Sequence, residues 1–269
     1  MVTAEQISLY IQTIPPAPTI VKETLDHVRQ GDLTKAAKRA EEDPALKLYL
    51  KTLVNRPIYG FRNEVHDMAQ IFGILGVSTA QQILYHYLLT LLAPKEWKLF
   101  SLSGHAFYDL QASLSRRWEK ILKHLNLLNH DTESAITLLP ASIIVCDALF
   151  GQHKTEVEQL RAVKALDYNT ILSRLSKLTL FDLCTQIAEK WEMSPTISKI
   201  VHGASGLDTQ MDPNEEILAK WMHLLLFYEL SQPSYVQAGL NEFLDFQIEF
   251  VQEIYESFMK VVEHDESNG

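Results

Sequence analysis

Three times in this chain a helix-capping side chain stands directly before a proline: Asp43-Pro44, Ser194-Pro195 and Asp212-Pro213. Proline costs little at the first helical position, where its missing N–H would have no helical partner, and the preceding Asp or Ser oxygen takes up free amides of the first turn. Each pair marks a helix start. Behind the first, Leu46, Tyr49, Leu50 and Leu53 recur at the helical period. Ala80, Ile83, Leu84, Tyr87, Leu88 and Leu91 make a wide apolar stripe, and so do Leu180, Leu183, Cys184, Ile187 and Trp191. Nowhere do β-branched residues alternate with polar ones long enough for a strand, and glycine and proline sit at helix borders. The spacing predicts an all-α chain.

The stretch from Glu42 to Gly76 sets the organisation of the first part. Asp43 and Pro44 start a helix that Asn55 and Pro57 end, because a proline pushes its predecessor out of the α region. Tyr59-Gly60 makes an elbow, and a second helix with Val65, Met68, Ala69 and Phe72 on one face closes on Leu75-Gly76. Helices in residues 1 to about 95 are short, whereas Ser103 to Leu125 and Thr132 to Phe150 read as longer ones separated by a turn at Asn126 to Asp131. Two helical lobes follow, about 1–95 and about 100–206, with a linker near residue 206. Residues 207–262 are expected to add C-terminal helices packed on these lobes: an apolar one from Ile217 to Leu230 and a long one from Asn241 to His264. The polar tail, 263–269, is expected to be disordered.

The order Asp43-Pro44-Ala45-Leu46, then Asn55, then Tyr59-Gly60, then an apolar helix ending in Leu75-Gly76 resembles the HDOD family, the "HD-related output domain" of bacterial signalling proteins. Ile14-Pro15-Pro16-Ala17-Pro18 is similar to that family's opening, and Ile187 to Pro195, with Trp191, is similar to its late Trp-Gly-Leu-Pro segment, near whose end His202 falls. The resemblance spans roughly residues 10 to 205. It implies a second lobe built like the HD phosphohydrolase core, a regulatory role without catalysis, and bacterial signal transduction. It also implies that the family-motif residues Asp43, Pro44, Leu46, Asn55, Tyr59, Gly60, Leu75, Gly76, Trp191 and His202 are structural.

Charge and composition narrow the partners. The chain has 269 residues with 24 Lys plus Arg against 34 Asp plus Glu, a formal charge of −10. Because phosphate neutralisation dominates nucleic-acid affinity, no nucleic acid is expected as partner. The short basic clusters, Lys35 to Arg39 and Arg116-Arg117, read as solvated helix faces. Cys146 and Cys184 lie in apolar helical stretches and read as buried reduced thiols. Met1 to Tyr10 has no basic segment followed by an apolar one, and apolar runs such as Leu224 to Phe227 fall short of the ~20 residues of a membrane span. A cytoplasmic protein without a membrane partner is expected.

Chemistry of the HD type needs a histidine from one helix, an adjacent His-Asp pair in a core helix and a distant aspartate, converging on metal. Three His-Asp dyads occur, His66-Asp67, His130-Asp131 and His264-Asp265, none of them in a core helix. The second sits in a turn where Asp131 reads as a helix cap. Matching Ala135 to Phe150 on the family's "Gly-Leu-Leu-His-Asp" puts Pro140-Ala141 where the dyad would be, and no histidine lies between Ala106 and Lys123. Proline at 140 should also interrupt its helix. Glu41-Glu42-Asp43 is explained by capping at Asp43. Phosphate-loop, nucleophile-elbow and Cys-x-x-Cys signatures are missing. No catalytic residue, metal or cofactor is therefore expected.

Three readings remain: a signalling module that binds unknown protein partners, a degenerate HD-type phosphohydrolase or nucleotide-binding protein, and a structural homodimer assembled through the last helix. In that helix Leu244, Ile248, Val251, Tyr255, Phe258 and Val262 form one apolar face, while Phe243, Phe246, Phe250 and Ile254 form another. Phe246 and Phe250 are the candidate partner face.

Overall fold

A computed structural model of the chain describes residues 3–55, 64–164, 166–206, 211–240, 243 and 246–263. Among these the protein is all-α, with no strand. In chain order the helices are α1 Ala4–Thr13, α2 Thr19–Arg29, α3 Leu33–Glu41, α4 Pro44–Val54, α5 Met68–Leu92, α6 Gly104–Leu125, α7 His130–Ala135, α8 Leu139–Phe150, α9 Lys154–Lys164 and α10 Tyr168–Ser176. They continue as α11 Leu180–Lys190, α12 Pro195–Gly203, α13 Pro213–Leu230, α14 Pro233–Gln237, α15 Ile248–Val251 and α16 Tyr255–Glu263. Two compact units result, Pro15–Leu91 and a larger one made of Met1–Ile14 with Leu92–Gly269. The first fourteen residues thus go with the larger unit, not with the N-terminal lobe where the sequence reading puts them.

The smaller unit holds α2 to α4 and nearly all of α5. Asp43 caps α4 as its sequence requires: Oδ1 accepts from the Ala45 and Leu46 amides at 2.8 and 3.1 Å, with Pro44 in the first turn. Leu46, Leu50 and Val54 are wholly buried, and so are Val21, Val28, Ala36 and Ala40 of the neighbouring helices. At full burial each Leu or Val side chain contributes about 1.5–3 kcal/mol. Within the α5 run, Gly76 has φ 68° and ψ −179°, a left-handed backbone that breaks the helix where glycine is the natural residue. Tyr59 and Gly60, the expected elbow, lie outside the described residues.

In the larger unit, α8 is the central element: every residue from Leu139 to Phe150 is buried except Ala148. Pro140 breaks the run as expected. A 3₁₀ turn at Ile136–Leu138 precedes it, and α8 restarts with Pro140 in its first turn, where no helical bond needs its missing N–H. Within the run His130–Lys164 an 18-residue window is apolar enough to cross a membrane by composition, beyond what the sequence reading allows, but 89% of that window is buried as core. Trp118 of α6 is fully buried and its indole N–H donates to the Thr132 carbonyl at 2.6 Å. Asn126 ends α6 with a left-handed φ of 55°.

The single long C-terminal helix is not formed. Residues 252–254 turn between α15 and α16, and the break lets one helix, α13, receive both aromatic faces. Phe246 packs on Phe227 at 4.4 Å between ring centroids and stacks on His223, while Phe258 lies 5.8 Å from both Trp221 and Tyr228. A straight helix presents those faces in different directions and could not cover both on one neighbour.

Candidate functional site

The position where an HD dyad is expected lies in the first turn of α8. Pro140 and Ala141 are buried there, and so are their chain neighbours Leu138, Leu139, Ile143 and Ile144 and the hydroxyl-bearing Thr137 and Ser142. Neither side chain has an atom that binds metal. The nearest dyad in sequence is engaged otherwise: Asp131 Oδ2 accepts from the Ser194 hydroxyl at 2.7 Å, tying the start of α7 to the cap of α12. Asn129, not Asp131, caps α7, in a reciprocal box with Thr132. His66 is exposed, 3.4 Å from Glu64, and Asp67 accepts from the Gln70 amide. His264-Asp265 is outside the described residues.

His202, at the end of α12, places Nδ1 3.0 Å from Asp182 Oδ1, and Asp182 already closes the capping box of α11 with Thr179. The His202 side chain is half-exposed at this contact, and Trp191, which is buried, caps the other end of α11. Among the described residues no three His, Cys, Asp or Glu side chains converge as a metal site would need. The Glu41-Glu42-Asp43 cluster is likewise dispersed, with Glu41 on Lys47, Glu42 on Arg39 and Asp43 on the α4 amides.

The remaining motif residues behave as joints. Leu75 is buried beside the break at Gly76. Asn55 ties the end of α4 to Val65: Nδ2 donates to the Lys51 and Val65 carbonyls at 2.9 Å each, and Oδ1 accepts from the Val65 amide at 2.7 Å. Phe246 and Phe250, assigned from sequence to a partner, are instead half-buried against α13, where Phe250 meets His223 edge-on and Lys220 across its face.

Two buried carboxylates escaped the sequence reading. Asp147, 2% exposed in α8, accepts from the amides of Lys98, Leu99 and Phe100, with Leu99 at 2.7 Å. Glu229, 1% exposed in α13, receives Arg117 and Ser113 from α6, so half of the Arg116-Arg117 cluster is not a solvated face at all. The signal was available for Asp147, a lone acid in an otherwise apolar helix, which must have a partner because an unpaired buried charge is too costly, whereas Glu229 shares α13 with Glu215, Glu216 and Lys220 and stood out less.

Fold and site define an all-helical, two-unit domain whose core helix carries proline and alanine at the position where the sequence reading expects a dyad. The chain belongs to the HDOD family, whose domain model matches residues 14–205. No curated protein matches it in sequence. Among solved structures it is similar to an HDOD domain protein of unknown function from Geobacter sulfurreducens, with TM-score 0.63, 14% identity, and 97% of this chain and 95% of that one covered. It is also similar to a "Putative phosphohydrolase" from Shewanella amazonensis, with TM-score 0.65, 14% identity and 97% and 98% covered. A third is a "Putative signal transduction protein" from Marinobacter aquaeolei, with TM-score 0.63, 16% identity, and 93% of this chain but 57% of that one covered. At such identities the likeness is one of fold.

Proposed function

We propose that this HDOD protein is a non-catalytic regulatory module of bacterial signal transduction that acts by binding other proteins. The observation that carries this reading is Pro140-Ala141 buried at the head of α8, with His202 committed to Asp182 on the surface. A hydrolytic metal site holds its ion through several converging side chains before it can activate water. Restoring one here would take more than one substitution inside a closed core. The name of the Marinobacter protein points the same way, whereas that of the Shewanella protein points to hydrolysis. The chemistry of this chain's own core weighs against the second.

Binding of protein partners is tested by capture. The full chain, immobilised and saturated with lysate of its own cells, is expected to retain a discrete partner that soluble chain competes away. Retention of nothing that soluble chain competes away, together with phosphoester turnover, would contradict the proposal.

A further inference from the structure

A cleft of about 260 Å³ opens within the larger unit between α1 and the end of α8. One wall is a helical stripe of α1, Gln6, Tyr10 and Thr13, and the other is Leu149, Gln152 and His153 around the 3₁₀ turn Gly151–His153. The wall on α1 is held from behind. Ile7 is buried, and Lys190 of α11 donates to the Ile11 and Gln12 carbonyls at 2.7 Å each, satisfying the open C-terminal end of the helix.

The chemistry of the lining is specific. Every polar side chain in it is an amide, a hydroxyl or an imidazole, and no lysine, arginine or carboxylate lines the cleft. Among the described residues, neither the Tyr10 hydroxyl nor the Gln152 amide has a hydrogen-bond partner in the protein. Gln6 spends only its oxygen, on the Thr3 amide, and keeps its NH₂ free. His153 turns Nδ1 toward Glu156 and leaves Nε2. Burial, with the nearby Asp147 charge, pushes the Tyr10 hydroxyl up to about 12, so it stays a protonated donor at neutral pH.

We propose that this cleft binds a small uncharged nitrogen heterocycle, of the chemistry of a free nucleobase. A planar ring with donors and acceptors on its edge matches Gln152, whose amide can pair bidentately with such an edge, while the Gln6 NH₂ donates from the opposite wall. Tyr10 and Leu149 supply apolar surface for its faces. The volume lies just under the ~300 Å³ lower end of small-molecule pockets, room for one ring system and not for a dinucleotide. Phosphorylated forms are disfavoured, because no cation lines the cleft and the Asp147 carboxylate is close enough to act on Tyr10. This goes beyond the partner-binding role and does not depend on it.

Saturation-transfer NMR on the full chain tests the site, with free purine and pyrimidine bases as probes and AMP as the charged control. Transfer to at least one base and none to AMP is expected. Gln152→Leu and Tyr10→Phe should each weaken that base about tenfold, the loss of one hydrogen bond, with the circular dichroism and melting temperature unchanged. No transfer to any free base at millimolar concentration would overturn the proposal. So would AMP binding as tightly as the base, or affinities that neither variant alters.

Discussion

The side chain of Asn55 pairs with the backbone of Val65 in both directions, donating to its carbonyl at 2.9 Å and accepting from its amide at 2.7 Å. One amide side chain thus does what a rung of a β-ladder does, and it ties the end of α4 to Val65. This gives the motif asparagine a physical reason. Asn55→Ala would strip three hydrogen bonds and leave the amide and carbonyl of Val65, a buried residue, without partners. Unsatisfied buried groups cost about 1–3 kcal/mol each, so a loss of about 3 kcal/mol is expected in urea titration, against about 1 kcal/mol for the capping change Asp43→Ala. Equal and small effects would show that Asn55 is not what holds Val65 to the end of α4.

Arg117 and Glu229 form the second test of the buried framework. With Glu229 at 1% exposure, Arg117→Met leaves a carboxylate in the core without its countercharge, expected to cost about 3–5 kcal/mol. The double change Arg117→Met, Glu229→Leu removes both charges and should recover most of that loss. Urea midpoints of the two variants and the wild type check this, and a double variant no better than the single would contradict it.

The two thiols should be inert in the folded protein. Burial pushes Cys184 up to about 12, and burial with the adjacent Asp147 charge raises Cys146 well above its ordinary range. Thiolate, not thiol, is the nucleophile. Ellman's reagent at pH 8 is expected to find no reactive cysteine in the native chain and two in urea. Rapid labelling of either without denaturant would contradict the packing of α8 or α11.

Much of this was legible in the sequence, and for reasons that can be stated. Capping pairs such as Asp43-Pro44 and Asp212-Pro213 mark helix starts locally, with no need of the rest of the fold. The interruption at Pro140 follows from covalent geometry. What could not be read depends on contacts distant in sequence. Phe246 looks like a free face until α13 is placed beneath it, and Arg117 looks solvated until Glu229 arrives from 112 residues away. The cleft beside Tyr10 depends on where α1 docks: the helical spacing of Ile7, Tyr10, Ile11 and Ile14 gives the helix an apolar face but not the neighbour that covers it.

Glu192 shows where this chain departs from the family it resembles. It stands where that pattern has glycine, and it adopts φ 52°, a left-handed backbone. Such a conformation costs a side-chain-bearing residue about 1–2 kcal/mol, part of which glycine gives back through its freer unfolded chain. Glu192→Gly is expected to raise the urea stability by up to about 1 kcal/mol. A loss of that size would mean that the glutamate side chain holds the α11–α12 corner by its own contacts.

The proposal that the core of this HDOD protein does no phosphoryl chemistry is addressed most directly by one assay. The full chain, purified without chelator, is incubated with a phosphodiester substrate in added manganese, and its metal content is read on the same sample. Turnover no higher than in the protein-free control is expected, with no stoichiometric transition metal. Stoichiometric metal, with turnover that His202→Ala abolishes, would contradict it.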